Sequence, residues 1–279
     1  MTSDAESTTA AIDLRPGEAV YLFAIAGTDD LGTGAPSVTG FSGEPAVCLS
    51  CGPWTAVVDR VDAQAWTGEE AESNFQSLEW IGPRAVRHEE VAESLMQVAP
   101  VYPAPFGTLF SSAGELVDRV SDRADVLRTF FDQVDGCREW AVHGHLDRST
   151  AQEALAGPAD DEGEPPGTAY LKQRRRKQAA RSDVETWLDG VADRLAERVT
   201  DLPAQLEALD PSPRPEEAGE PVLQWAVLCP KSQETALAAL LRSANEDYAD
   251  RGLRFRLQGP WPPYRFRPED DGPTPPTGN

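Results

Sequence analysis

The chain has 279 residues, 40% of them hydrophobic, with 47 acidic against 25 basic side chains and a formal charge of −22. This length favours two domains, and so strong a negative charge repels nucleic acid and anionic membrane surfaces over most of the protein. The longest apolar run, Val20 to Ala26, falls far short of the roughly 18 residues that a membrane span requires.

Residues 1–16 read as a disordered, polar lead without the basic and apolar regions of a secretion signal. Val20 to Ala26, ending in Gly27, has the compactness of a central strand. Pro45 to Ser50 and Trp54 to Val61 are two more strands, joined by Gly52-Pro53 into a hairpin. Thr67 to Leu78 and Pro83 to Val98 are helical, the second with Val86, Val91, Leu95 and Val98 on an apolar stripe. Val101 to Phe110 returns to extended chain, punctuated by Pro103, Pro105 and Gly107. Ser112 to Val134 is helical in two pieces, with Ser121 or Asp122 available to cap the second.

The second half repeats the mixture. Arg138 to Leu146 alternates, with Trp140, Val142 and Leu146 on one face. Thr168 to Leu209 is a long helical tract whose stripe runs from Val184 to Val199, and Pro203 kinks or ends it. Leu223 to Cys229 is an apolar strand covered on both faces. Ser232 to Asp250 is a helix stopped by Gly252, and Leu253 to Gln258 alternates as a half-buried strand.

The fold class is therefore α+β. We divide the chain into an N-terminal α+β domain, 17–135, and a C-terminal α+β domain, 136–258. Acidic Pro/Gly-rich linkers lie near 157–167 and 210–221 of the second. Residues 259–279 form an extended Pro/aromatic tail. Its ordered part, Gly259 to Phe266, holds three prolines and three aromatics, which rules out helix and an interior strand. Such a strap either staples the C-terminal domain to its neighbour or presents a contact to a partner. Arg267 to Asn279 reads as disordered.

Few motifs carry chemistry. Cys48-Leu-Ser-Cys51 is a C-x-x-C, but it lacks the second pair of a zinc ribbon and is followed by a turn rather than a helix. The four cysteines, Cys48, Cys51, Cys137 and Cys229, make no disulfide scaffold, and a reduced, cytoplasmic protein is expected. His143 and His145 share a strand face with Cys137 and Glu139, and we expect that face to meet solvent or an interface. His88-Glu89 opens like a zinc-protease string, but Ala92 stands where the second histidine belongs, leaving a capping or surface role for His88. Lys172 to Lys177 is the single basic cluster and reads as a solvated helical face or a contact for an acidic partner surface, in preference to phosphate or nucleic-acid binding. No catalytic residue, metal ligand or cofactor is assigned. The alternative to a binding protein is a metal- or thiol-dependent enzyme using the C-x-x-C or His-x-His residues.

Several stretches, taken in order, carry a resemblance. Val20-Tyr-Leu-Phe-Ala-Ile-Ala26 is followed by His88-Glu-Glu-Val91, Pro103-Ala-Pro-Phe-Gly-Thr-Leu-Phe110, Gly136-Cys-Arg-Glu-Trp140, Gly167-Thr-Ala-Tyr-Leu171 and finally Gly259-Pro-Trp-Pro-Pro-Tyr-Arg-Phe266. Together they resemble the gas vesicle protein GvpL/GvpF family over roughly residues 18–267. One departure is Pro105, which replaces the family's usual arginine before Phe-Gly-Thr. The resemblance implies two α+β domains, the C-terminal one ferredoxin-like, with a C-terminal tail. It also implies a non-enzymatic accessory or minor structural protein of gas vesicles, the gas-filled compartments that give cells buoyancy. Such a protein would bind the hydrophobic major shell protein, act alongside other gas vesicle accessory proteins, and support nucleation or assembly of the wall. The expected locations are the gas vesicle and the cytoplasm. Candidate partner-binding residues are Phe106, Trp261, Tyr264 and Phe266.

Overall fold

The structure, a computed structural model, describes residues 12–31, 38–156, 166–213 and 219–268, with backbone alone at 156 and 166–180. It is a mixed helix and sheet protein with two sheets. The chain divides into two compact units. One runs to Gly136 and takes in the chain again from Trp261; the other is Cys137–Pro260.

In the first unit, strand β1 (Glu18–Gly27) is the axis. It pairs antiparallel with β3 (Trp54–Asp62) on one side, and β3 pairs with β2 (Val47–Cys51) through the Gly52-Pro53 turn. On its other side β1 pairs with two short strands, β4 (Val101–Pro103) and β5 (Leu109–Phe110). A bulge between Leu22 and Ala24 shifts the alternation. Phe23 and Ala24 thereby both join Ala19, Tyr21 and Ala26 in the same core cluster. Val20, Leu22 and Ile25 are also buried, so the strand is covered on both faces, as its unbroken apolar run predicts.

The Tyr21 face is covered by α2 (Ala63–Thr67), through Trp66, and by α4 (Leu78–Met96), through Val91, Leu95 and Met96. Between these helices lies α3 (Glu69–Gln76). Ser77 starts α4 by accepting from the Trp80 backbone N–H. The apolar stripe differs from the expected one. Val86 and Val98 are exposed, and His88, Val91, Ala92 and Leu95 point inward at i, i+3, i+4 and i+7. His88 is therefore a core residue, 3% exposed, not a cap or a surface group. Its own polarity concealed the phase of the helix.

The other face of β1 meets α5 (Ala113–Asp122) and α6 (Ala124–Val134). Ser112 caps α5 through the Glu115 N–H, whereas Arg123, with no side-chain cap bond, precedes α6. Neither Ser121 nor Asp122 takes the capping role, because α5 continues through both.

The second unit follows the order β6 (Cys137–Leu146), α7 (Arg148–Ala156), α8 (Pro166–Asp201), β7 (Gln205–Leu209), β8 (Glu220–Pro230), α9 (Glu234–Tyr248) and β9 (Leu253–Trp261). A short α1 (Thr28–Leu31) belongs to the first unit. The four strands lie in the order β7-β8-β6-β9, and β8 is antiparallel to its two neighbours, β6 and β7. Val184, Val191, Leu195 and Val199 of α8 and Leu237, Leu241 and Ala244 of α9 pack with Val142, Trp225, Val227 and Phe255 of the sheet. The Asn245 side chain ties α9 to β9 by donating to the Phe255 carbonyl and accepting from its N–H.

Three expectations change in this unit. Gln205–Leu209 is a strand rather than the end of the long helix, since Pro203 stops the helix and the segment then finds β8 as a pairing edge. Glu220 and Pro221, counted with a linker, begin β8. Of the two readings of the His143 and His145 face, solvent or interface, burial excludes solvent: His143 is 3% exposed, and His145 and Glu139 are buried as well. Lys172 to Lys177 and the segments 1–11, 157–165, 214–218 and 269–279 lie outside the described residues or side chains.

Candidate functional site

Three motif segments of the first unit meet around one hydrogen-bonded chain. The Gly107 N–H donates to the Tyr21 hydroxyl oxygen at 3.1 Å. The Tyr21 hydroxyl lies 2.8 Å from His88 Nδ1, and His88 Nε2 lies 3.0 Å from the Ala104 carbonyl. A carbonyl only accepts, so Nε2 carries the proton, Nδ1 accepts, and Tyr21 donates to it. Burial pushes the His88 pKa down to about 4, with the nearby Arg267 charge acting in the same direction. Burial likewise raises the Tyr21 pKa well above the usual phenol range. The neutral ring is a structural bridge that fixes the 104–107 loop against β1 and α4.

The strap ends on this bridge. Tyr264 packs with its ring 6.4 Å from that of His88. Its hydroxyl is buried and reaches toward the Glu89 carboxylate without a hydrogen bond of ordinary geometry. Burial and the Glu89 charge raise its pKa, and burial raises that of Glu89. Arg267 donates through Nε to the Tyr264 carbonyl at 3.1 Å and through Nη1 to the Pro103 carbonyl at 3.3 Å. Arg267 was expected in the disordered tail and is half-buried instead. Only its position two residues before the Glu-Asp-Asp run concealed it. Pro262 and Pro263 are buried, Phe266 is half-buried, and Trp261, which ends β9, is 36% exposed. Pro260 fits within that strand because β9 is an edge strand.

Phe106 sits beside the bridge in a run of aromatic rings that leads outward. Its ring centroid is 5.7 Å from His88, 5.4 Å from Trp66 and 6.3 Å from Phe75. Phe75 packs 5.6 Å from Trp80, and the Arg84 guanidinium lies 4.1 Å above the Trp80 ring. At the outer end Phe75 is 40% exposed and Leu78 is 84% exposed. Sequence reading singled out Phe106 but missed Phe75, Leu78 and Trp80. The signal was present in the Phe-x-x-Leu-x-Trp spacing across the helix junction.

Tyr264 and Phe106 thus share the neighbourhood of His88 but differ in access. Tyr264 is part of the packed bridge, while Phe106 belongs to the aromatic run and Trp261 stands on a strand end. Cys48 and Cys51 lie on β2, four free thiols are present, and burial raises the pKa of Cys48, Cys51 and Cys229. Among the described residues no group of three or more His, Cys, Asp and Glu is arranged to hold a metal ion, and no helix is long and apolar enough to cross a membrane.

A family model described as gas vesicle synthesis protein GvpL/GvpF matches residues 19–268. Gas vesicle protein L of Streptomyces sp. (strain CB03234) is 30% identical over 234 residues, covering 81% of this chain and 85% of that protein. Gas vesicle protein L2 of Halobacterium salinarum is 29% identical over 211 residues, covering 66% of this chain and 70% of that protein. The crystal structure of the gas vesicle protein GvpF from Anabaena sp. PCC7120 superposes with a TM-score of 0.68 at 16% identity, covering 91% of this chain and 98% of that one.

Proposed function

Because the chain belongs to the GvpL/GvpF family of gas vesicle synthesis proteins, we propose that it is an accessory or minor structural protein of the vesicle that binds the hydrophobic major shell protein. In this role it supports nucleation or assembly of the wall together with other gas vesicle accessory proteins, and it catalyses no reaction. It works in the cytoplasm and on the vesicle.

The observation that carries this reading is the aromatic run that surfaces at Phe75 and Leu78. A shell subunit with a gas-facing apolar surface aggregates unless that surface is masked. A body of charge −22 remains dispersed while offering one apolar patch. Glu69, Glu70, Glu72 and Glu79 flank the patch in sequence, giving it the apolar centre and polar rim of an association surface. We take Phe106, packed against Phe75, as the base of this contact, and propose Trp261, Tyr264 and Phe266 of the strap as further partner-binding residues.

We also take residues 136–258 as a ferredoxin-like domain. The reading is supported by the β–α–β–β–α–β succession of the second unit, with α7 and α8 filling the first crossover, and by its strand order of second, third, first, fourth.

The test is co-expression with the major shell protein. The wild-type chain should hold shell subunits in the soluble fraction and co-purify with them. Phe75→Asp with Leu78→Asp should abolish both without unfolding the chain, since both side chains are exposed. Equal recovery of shell protein with the wild type and the double variant would reject this surface.

A further inference from the structure

Among the described residues, the first unit holds a cavity of about 290 Å³ on the β1 face opposite Tyr21, between the sheet and the segment from α5 to α6. Its apolar wall includes Leu22, Ile25, Phe110, Leu116, Val120 and Leu127. Close-packed interiors have few voids larger than a single water, and a wall of mainly aliphatic groups gives water too few polar partners. An apolar cavity of about 150 Å³ stays dry and takes up benzene. At about twice that size, this one suits an apolar body of roughly ten carbons.

A hydroxyl at the wall is the second observation. Tyr102, on β4 opposite Ile25 of β1, lines the cavity and is 6% exposed. Its ring packs edge-on against Phe130 at 5.0 Å. Among the described residues, its hydroxyl has no hydrogen-bond partner. A buried hydroxyl left unpaired is costly, so this one calls for an occupant that completes it. The other polar side chains of the wall are engaged. Thr108 Oγ1 donates to the Pro105 carbonyl at 2.7 Å, the Tyr264 hydroxyl reaches toward Glu89, and Arg267 donates to the Tyr264 and Pro103 carbonyls. Arg119 and Arg123 have interaction partners of their own. Guanidinium groups already committed do not recruit an anion, and they repel a cation, so the cavity suits an uncharged occupant.

We propose that this cavity binds one uncharged molecule with an apolar body and a single hydroxyl, the body among the aliphatic side chains and the hydroxyl on Tyr102. A phenol oxygen both donates and accepts, so Tyr102 can pair with an alcohol or a phenol in either direction. A peptide backbone would bring N–H and C=O groups that an aliphatic wall leaves unpaired, so a small free molecule fits better than an inserted segment of a protein. This site is separate from the Phe75 and Leu78 surface and does not depend on shell-protein binding.

The test is isothermal titration of the purified full chain at pH 7 with 2-naphthol, with naphthalene and 2-naphthoate as competitors. 2-Naphthol should bind saturably at one site per chain. Naphthalene should bind more weakly by about three- to tenfold, the scale of one neutral hydrogen bond, and 2-naphthoate should bind no more tightly than 2-naphthol. Tyr102→Phe should lower the affinity for 2-naphthol to that for naphthalene and leave naphthalene unchanged. Val120→Phe, which fills the cavity, should remove binding of both. If that variant fails to fold, judged by circular dichroism, Tyr102→Phe still decides the matter, because it deletes one oxygen and keeps the ring. Absence of 2-naphthol binding, equal affinity for 2-naphthol and naphthalene, a preference for 2-naphthoate, or a Tyr102→Phe chain that binds 2-naphthol as the wild type does would overturn the proposal.

Discussion

Replacing His88 with a group that cannot titrate isolates the electrostatic cost of the buried bridge. His88→Gln keeps a donor for the Ala104 carbonyl and an acceptor for the Tyr21 hydroxyl. In the folded chain the His88 pKa lies at about 4 against an ordinary 6.5. Above pH 7 the ring is neutral folded and unfolded, and its titration costs nothing. As the pH falls below 6.5 the unfolded chain takes up the proton and the folded chain does not, so stability drops. The loss runs at about 1.4 kcal/mol per pH unit until the folded pKa is reached, about 3 kcal/mol in all and about 2 kcal/mol by pH 5. The structural cause is specific. Protonation puts a proton on Nδ1, which forces Tyr21 to accept there and strands its O–H in the core. Urea unfolding of both proteins at pH 7 and pH 5 measures the difference. The wild type should lose about 2 kcal/mol more than His88→Gln over that range, and NMR of the His88 ring should show a titration below pH 5. Parallel pH profiles for the two proteins would refute the argument, because the acidic side chains common to both would then account for all of the loss.

Other consequences follow from the same contacts. Tyr21→Phe strands both His88 Nδ1 and the Gly107 N–H and should cost about 2–3 kcal/mol, whereas Tyr264→Phe removes a buried hydroxyl without a well-formed bond and should change stability by less than about 0.5 kcal/mol; denaturant titration of the pair checks the contrast. Gly252→Ala meets both a left-handed backbone, φ +73°, and the Asp147 carbonyl oxygen 2.9 Å from the new Cβ, so it should cost about 1–3 kcal/mol in the same assay. Cys48 and Cys51, with pKa values raised by burial, should react with iodoacetamide at pH 7.5 about tenfold or more slowly than an exposed thiol, and rates matching those of the urea-unfolded chain would contradict that placement.

Much of the architecture was legible wherever a segment's own pattern fixed its environment. The run Val20 to Ala26 had no polar face, so it had to be a central strand. Gly52-Pro53 marked the hairpin of β2 and β3, and the Val184 to Val199 stripe marked the inward side of a long helix. Failures came where tertiary context decided. Gln205–Leu209 has no strong preference of its own and becomes a strand by pairing with β8. His88 sits at a core position only because Tyr21 and Ala104, 67 and 16 residues away, satisfy its ring. The His143 face is buried although its composition reads as polar surface. Within the candidate site, Phe106 was visible because it lies in the Pro103 to Phe110 stretch that carries the family resemblance. Phe75 and Leu78 were absorbed into the helix that they interrupt, and Arg267 was hidden in a tail whose composition promised no contacts.

The most direct test of the shell-binding claim is site-specific photo-crosslinking in cells that form gas vesicles. A photoreactive residue is placed at position 78 and, as a control, at position 126, another exposed apolar site of the same unit. The account predicts a crosslink to the major shell protein from position 78 and little or none from position 126. Shell protein crosslinked equally from both positions, or from neither while the chain still supports vesicle formation, would contradict it.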